Sequence, residues 1–327
     1  MYSPLPANGE VKCLILYPLC NVKVESTLCF KNGLSILDSN DLQFWKSYSN
    51  QFVDASLFNL STGNLLYNPN KLLGFPEGVT SWISYEYKGS TVQIKKLVPV
   101  EIRTLVSVLI CLLQKNKTFS ILKSSRLEDD YILYFPDRST PTGFGLTYTQ
   151  LTPIFPSLIE PICIPCHIFS EVDRWYNAML LSDIHLRNRM RVAAFTLPDA
   201  IISTGLDRLL KFFMIVDALF GVNGVVGKSF KAGIKLALNN EDHLINDKAN
   251  RLYKLRCDVA HGDIIFVDEW EGYESYISTF KSDPIDDMLT IVLNSILNYF
   301  DIAPGHLQSW EKTDRKKYKK TFNLIEY

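Results

Sequence analysis

The chain has 327 residues, of which 47% are hydrophobic and 21% are charged, a length and composition that fit two globular domains with buried cores. Its net charge of -1 argues against a protein that coats nucleic acid through bulk positive charge, while it allows a local basic patch. Seven cysteines without a regular spacing indicate free thiols in a reducing compartment rather than a disulfide framework.

The first ten residues lack the basic and apolar runs of a signal peptide. The longest uncharged apolar stretch, 105–113, is far shorter than the roughly 20 residues that span a bilayer. We therefore expect a cytoplasmic chain without a membrane contact, in which this stretch belongs to a buried helix.

The first part of the chain, 1–160, is predicted to be a mixed α/β domain with a sensing or targeting role. Runs of β-branched, aromatic and alternating residues predict strands at 11–17, 21–28, 81–87, 91–97, 131–135 and 143–149. The turn Lys88-Gly89-Ser90 predicts that 81–87 and 91–97 pair as a hairpin. A helix is predicted at 99–114, and four prolines between 153 and 165 place the domain boundary near residue 160.

The second part, 161–327, is predicted to be an all-α helical bundle, so the expected fold class is α+β. Apolar residues at spacings of three and four predict helices at 170–191, 198–220, 228–238, 243–260 and 284–299. The first helix is expected to begin near Ser170 and Asp173, a pair that resembles a capping box, and the second at Pro198.

Arg256 and His261 carry the most informative chemistry, because they place a permanent cation and an imidazole in the last turn of the helix at 243–260. Gly262 directly follows the histidine and suits the left-handed residue that closes a helix. The carboxyl end of a helix favours a positive charge. A histidine at this end is therefore helped to alternate between base and acid.

Arg256 falls on the same helical stripe as Leu252 and Val259, so its guanidinium is expected to face the core or a partner and to need an anion. The predicted anion is either Asp217, the acid in the apolar part of the preceding long helix, or a phosphate. Five positions turn Arg256 and His261 about 140° apart around the helix. They converge only if the helix frays at His261 or if two copies of the helix meet.

The segment Arg251-Leu-Tyr-Lys-Leu-Arg256-Cys-Asp-Val-Ala-His261-Gly262 resembles the Arg-x4-6-His signature of the HEPN superfamily, in the form typical of Apea-like HEPN domains. The upstream segment from Asp207 to Gly221, which contains Asp217-Ala-Leu-Phe-Gly, is similar to the first helix of that family. The resemblance covers about residues 197–305.

This resemblance implies a bundle of four or five helices that forms a homodimer through the motif helices. It also implies a metal-independent endoribonuclease, without a cofactor, in antiphage defence or as a regulated toxin, with RNA as substrate and an antitoxin or activator as a further partner. In that mechanism the RNA 2′-hydroxyl attacks its own phosphate. His261 would be the general base or acid, and Arg256 would stabilise the charged phosphorane. The supporting residues would be Asp217, Tyr253 and Asp258.

Two departures from the family pattern keep other functions open. Cys257 follows the arginine where many active members carry Asn, Asp or another polar residue, and Asp217 replaces the usual Glu. A non-catalytic HEPN module that binds RNA, nucleotide or protein is one alternative. A structural dimerisation domain in which Arg256 pairs only with Asp217 is another. Asp258 either orients the imidazole of His261, three residues away, or is an exposed acid.

Two further segments are candidate sites. Four lysines near the C-terminal end either bind RNA phosphates or form a solvated basic tail. These are Lys316, Lys317, Lys319 and Lys320. Cys163-Ile-Pro-Cys166-His167 has the residue types of metal ligands, but zinc would need distant partners such as Cys13, Cys20 or Cys29. We expect small buried thiols instead of zinc. A redox dithiol is disfavoured, since no helix is predicted to open at this pair after a strand.

Overall fold

The computed structural model describes residues 10–30, 33–41, 46–47, 51–52, 58–59, 64–65, 79–116, 130–138, 147–151, 154–155, 158, 161–239 and 242–322. The chain divides into two compact units, Met1–Asn177 and Ala178–Tyr327. The first unit contains all the strands of the described residues, and the second, which we call the helical unit, is made of helices. The predicted α+β class, with strands first and helices afterwards, is confirmed.

An antiparallel six-stranded sheet organises the first unit, in the spatial order β3-β4-β7-β1-β8-β9. Its strands are β1 (Glu10–Cys20), β3 (Leu28–Cys29), β4 (Leu34–Asp38), β7 (Val79–Ser90), β8 (Asp130–Pro136) and β9 (Thr147–Leu151). Short pairs lie outside this sheet: β2 (Val22–Val24) is parallel to β10 (Ile162–Ile164), and β5 (Phe58–Asn59) is antiparallel to β6 (Asn64–Leu65). β1 is central and buried at most positions, because both of its edges are paired and its faces are covered.

Helix α1 (Thr91–Lys115) packs against β7 and β1, and it corrects the predicted hairpin. The segment 91–97 is helical, not a strand, and it follows β7 directly. The Ser90 side chain accepts a hydrogen bond from the Gln93 backbone N–H at 3.2 Å and so caps the helix. Ile94, Val98 and Ile102 are fully buried at a spacing of four, which is a helical stripe.

Among the described residues, one helical stretch, Lys96–Lys115, has the length and apolar composition of a membrane span. Most of that stretch is buried inside the protein, as is typical of the core helix of a soluble protein. The prediction that 105–113 belongs to a buried helix is therefore confirmed.

The helices after β10 are α2 (Cys166–Leu181), α3 (Ile184–Ile202), α4 (Gly205–Phe220), α5 (Val226–Leu238), α6 (His243–His261), α7 (Tyr273–Phe280) and α8 (Pro284–Phe322). The division between the two compact units falls inside α2. The predicted helices at 228–238 and 243–260 are confirmed within two residues at each end. The helix predicted at 284–299 is confirmed at its start and extends much further.

The two predicted helices at 170–191 and 198–220 are wrong in their boundaries. A break at Ser182 and Asp183 separates α2 from α3, because the Asp183 carboxylate accepts from the His185 backbone N–H at 2.7 Å and starts a new helix. Pro198 lies inside α3 rather than at a helix start. Proline has no N–H and so removes one hydrogen bond of the helix. The burial of Leu197 and Ile201 on either side of Pro198 compensates for this loss, and the helix continues for another turn.

Side chains from two neighbouring helices fix the carboxyl end of α4. The Nη1 group of Arg189, on α3, donates to the carbonyl oxygens of Ala218 at 3.1 Å and Gly221 at 2.9 Å. The Tyr299 hydroxyl, on α8, donates to the Leu219 carbonyl oxygen at 3.2 Å. These bonds satisfy the carbonyl groups that a helix end leaves open, and they set the position of Asp217 on the last turn of α4.

His306, on α8, is expected to make the stability of the helical unit depend on pH. Burial is the main cause that lowers the pKa of His306, and the positive charge of the nearby Arg189 lowers it further. A hydrogen bond to the Phe220 backbone raises the pKa but does not cancel this decrease. The unfolded chain, with an imidazole pKa of about 6.5, then takes up the proton first as the pH falls. The contribution of His306 to stability is therefore complete above pH ~6.5 and is lost as the pH falls through its lower folded pKa.

We expect the urea midpoint of the helical unit to fall between pH 7.5 and 5.5, and to fall less in His306→Gln. Glutamine cannot titrate but keeps a donor for the Phe220 carbonyl oxygen. Urea unfolding followed by circular dichroism at several pH values measures this difference. An identical pH profile in the two proteins would show that His306 does not contribute.

Candidate functional site

The candidate site is built on α6, whose two ends are capped by its own neighbouring residues. At the start, the Asp242 carboxylate accepts from the Ile245 backbone N–H at 2.8 Å. At the end, Gly262 has φ 77° and ψ 22°, and its N–H donates to the Val259 carbonyl oxygen at 3.1 Å. The prediction that Gly262 closes this helix is confirmed, because its left-handed conformation costs least without a Cβ.

A polar network anchors the first half of α6 to α7 and α8. Lys248 lies 2.7 Å from the Asp287 carboxylate, which also accepts from the Tyr276 hydroxyl at 2.6 Å. Arg251 pairs with Asp247 at 3.0 Å and donates to the Ser275 hydroxyl at 2.7 Å. Arg251, the first residue of the motif, therefore has its hydrogen bonds inside the protein, and the network attaches the first half of α6 to the two neighbouring helices.

Arg256 forms an ion pair with Asp217, as one of the two sequence alternatives predicted. Its Nε and Nη2 groups donate to the same carboxylate oxygen, Oδ2, at 3.0 Å and 2.6 Å. The two side chains remain 25% and 26% exposed, so the pair lies at the surface of the bundle rather than inside it. No described residue accepts a hydrogen bond from Arg256 Nη1, which leaves that group for a ligand.

Asp217 needs this partner for two reasons. It lies on the last turn of α4, where the helix dipole disfavours a negative charge. Its second oxygen, Oδ1, is buried and has no hydrogen-bond donor among the described residues. The guanidinium is therefore the main compensation for the Asp217 charge.

Arg256 stays charged in this setting. Burial by itself would lower the pKa of Arg256, but the hydrogen bonds and the charge of Asp217 outweigh burial and raise that pKa above its ordinary value. The guanidinium carbon also lies 5.9 Å from the ring centre of Tyr253 and 6.0 Å from that of Phe230. These distances are within the range of cation–π attraction.

Tyr253, a predicted supporting residue, borders the Arg256 guanidinium. Its ring centre lies 5.8 Å from that of Phe230 and 5.6 Å from the Lys231 Nζ atom. Burial, followed by the interaction with the neighbouring Cys257 thiol, raises the pKa of the Tyr253 phenol, which therefore stays protonated. Cys257, the departure from the family pattern, is partly exposed and lies beside Tyr253 at the surface.

His261 is the last residue of α6, and its side chain is exposed. Its imidazole makes no hydrogen bond to any residue that the structure describes. A solvated imidazole at the end of a helix can both accept and give a proton. Arg256 and His261 are thus on one helix, but no described contact joins them.

Asp258 has a role that neither sequence alternative foresaw. Its carboxylate accepts a hydrogen bond from the indole Nε1 of the buried Trp270 at 3.0 Å. It therefore ties the segment after the motif back onto α6 and does not orient His261. Both predicted alternatives, the orienting acid and the exposed acid, are wrong at this residue.

The other candidate sites lie elsewhere in the chain. The side chains of Lys316, Lys317, Lys319 and Lys320 are outside the described residues, although α8 extends through them. All seven cysteines carry free thiols. In the described ranges, no group of three or more His, Cys, Asp or Glu side chains that could hold a metal ion occurs.

Cys163 and Cys166 differ from the buried thiols that we predicted, because both are exposed. Contrary to the sequence prediction, a helix does open at this pair after a strand, since Cys163 lies in β10 and Cys166 is the first residue of α2. The Cys166 thiol donates to the Glu25 carboxylate at 2.6 Å, and this bond is the largest cause that raises the pKa of Cys166. A raised pKa disfavours the thiolate that metal binding and thiol exchange both need.

Sequence reasoning missed Phe230 and Lys231 on α5, which lie next to Tyr253. The signal was present in the predicted helix at 228–238, where lysines recur at positions 228, 231 and 235. The packing of α5 against α6 places these residues beside the motif. Comparison of the chain with protein-family models, with curated proteins and with solved structures gives no match.

Proposed function

We propose that the helical unit is an HEPN-type, metal-independent endoribonuclease that acts in the cytoplasm, in antiphage defence or as a regulated toxin. The observation that carries this proposal is the Arg256–Asp217 pair. Asp217 holds the guanidinium through Nε and Nη2 at the surface of the bundle and leaves Nη1 open. A preorganised cation with free donors is what stabilises the negative charge that develops on a phosphate during cleavage.

His261 supplies the proton transfers in this mechanism. An unprotonated imidazole accepts the proton of the RNA 2′-hydroxyl, whose oxygen then forms a bond to the adjacent phosphorus. The bond from phosphorus to the 5′-oxygen breaks, and an imidazolium protonates that leaving oxygen. The products are a 2′,3′-cyclic phosphate and a 5′-hydroxyl. General acid–base catalysis of this kind contributes about 10²–10⁴ in rate.

Two copies of the chain are needed for this chemistry. About 140° separates Arg256 from His261 around α6, so the two side chains of one copy point to different directions. α6 is intact up to His261, which disfavours convergence by fraying. Ile265 and Phe266, directly after the motif, are 71% and 62% exposed and offer apolar surface for a second copy. In a homodimer, Arg256 of one copy would meet His261 of the other.

A non-catalytic module is the second candidate, and one observation favours it. Asp258 bonds to Trp270, so no described side chain fixes the orientation of the His261 ring. In that case the same surface would bind RNA, nucleotide or protein without cleaving it.

Incubation of the purified full-length chain with single-stranded RNA in EDTA tests the proposal. We expect cleavage that leaves 2′,3′-cyclic phosphate ends, and no cleavage at a position where the RNA carries a 2′-deoxyribose. RNA that is bound but stays intact would overturn the nuclease in favour of the binding module. RNA that is neither bound nor cleaved would favour a structural dimerisation domain.

A further inference from the structure

An aromatic ring and two cations lie together at the contact between α5 and α6. The Lys231 Nζ atom is 5.6 Å and the Arg256 guanidinium carbon is 5.9 Å from the centre of the Tyr253 ring. Tyr253 is partly exposed, whereas Phe230 beside it is fully buried. The buried ring packs against one side of Tyr253, and the Tyr253 hydroxyl end lies close to Gly227, so the ring is held in place while part of it stays exposed.

A stripe of lysines extends this cluster along α5. Lys228, Lys231 and Lys235 are three and four positions apart, so they lie on one face of the helix. α5 contains no acidic residue. None of the three lysines forms a salt bridge with a residue in the described part of the chain.

The cations on the neighbouring helix behave differently. Lys248 pairs with Asp287 at 2.7 Å, Arg251 with Asp247 at 3.0 Å and Lys254 with Glu271 at 3.6 Å. Three positive charges in a row on α5, with no carboxylate partner among the described residues, are complementary to a polyanion. A charge row of this kind can follow the phosphates of a nucleic acid backbone.

The ring beside the lysines indicates which form of nucleic acid fits. The bases of a duplex are stacked on each other, so their faces are not open to a side chain. In a single strand, unpaired bases can stack on a tyrosine while cations contact the backbone phosphates. We propose that Tyr253 and the lysine stripe Lys228, Lys231 and Lys235 bind single-stranded RNA, with one base against Tyr253 and the adjoining phosphates along α5. This binding surface leads the strand to Arg256, and it rests on the proposed function for the identity of RNA as the substrate.

Fluorescence anisotropy with a labelled 12-nucleotide RNA, single-stranded or as a duplex, tests this inference. The full chain carries His261→Ala in these measurements so that the RNA stays intact. We expect tighter binding of the single strand, a loss of about tenfold in affinity in Tyr253→Leu, and near-normal affinity in Tyr253→Phe, which keeps the ring. The double variant Lys231→Ala with Lys235→Ala should reduce the slope of log affinity against log salt by about 1.4, or 0.7 for each lost phosphate contact.

Lys254→Ala is the matched control, because Lys254 is an exposed lysine on α6 that already pairs with Glu271. We expect it to change neither the affinity nor the salt slope. Equal binding of duplex and single strand would overturn the inference, and so would unchanged binding in both Tyr253→Leu and the double lysine variant. The lysine variant keeps the test valid if Tyr253→Leu does not fold.

The outcomes separate this inference from the proposed nuclease. If the wild type cleaves RNA, and the Tyr253 and lysine variants cleave and bind RNA as the wild type does, the binding surface is refuted and the nuclease is supported. If RNA binding depends on Tyr253 and the lysines but the wild type does not cleave RNA, the binding surface is supported and the nuclease is refuted.

Discussion

Replacement of Arg256 with alanine is expected to abolish RNA cleavage and to lower the free energy of unfolding of the helical unit by about 2–3 kcal/mol. The loss of stability comes from Asp217. Its Oδ2 atom loses both of its N–H donors, while Oδ1 is already buried without a described donor. The unpaired charge also lies at the unfavourable end of α4. Urea unfolding followed by circular dichroism measures the change in stability.

The double variant Arg256→Ala with Asp217→Ala is the control for this prediction. Removal of both partners leaves no uncompensated charge, so the double variant should be more stable than Arg256→Ala alone. Both variants should lack cleavage activity. A single variant as stable as the wild type would mean that the Arg256–Asp217 pair contributes nothing to the fold.

Replacement of His261 with alanine is expected to reduce the cleavage rate by about 10²–10⁴ without a measurable change in unfolding. The imidazole is exposed and has no hydrogen bond to a described residue, so its removal costs the fold only a weak interaction with the helix end. Initial rates on a labelled single-stranded RNA in EDTA, beside thermal melting curves, separate these two effects.

His243 offers a matched control for His261, because it is an exposed histidine at the opposite end of the same helix. We expect His243→Ala to cleave RNA at the wild-type rate. Wild-type cleavage by His261→Ala, or an equal loss in the two variants, would exclude His261 as the group that transfers the proton.

The sequence was sufficient to predict the helix that carries the site, because its signals are local. Asp242, the apolar stripe and Gly262 mark the start, body and end of α6 within a single run of residues. The Arg256–Asp217 pair was also predictable, since a cation on a buried stripe needs an anion and few acids lie within the apolar helices.

Other features depend on tertiary packing and were not predictable. The segment 91–97 has the β-branched residues of a strand, but burial of its helical stripe against the sheet determines its structure. Pro198 was expected to begin a helix, but buried neighbours hold it inside α3. The partner of Asp258 is Trp270, twelve residues away beyond a turn, and no local pattern links the two.

Mixing two inactive variants tests the composite site most directly. One variant is His261→Ala, and the other is Arg256→Gln, which keeps an amide donor for Asp217. A mixed dimer contains one site in which an intact Arg256 faces an intact His261 from the other copy. We predict that an equal mixture regains about a quarter of the wild-type cleavage rate, since half of the dimers are mixed and each has one intact site. A mixture as inactive as its two components, when the variants are shown to exchange subunits, would contradict a site shared between two copies.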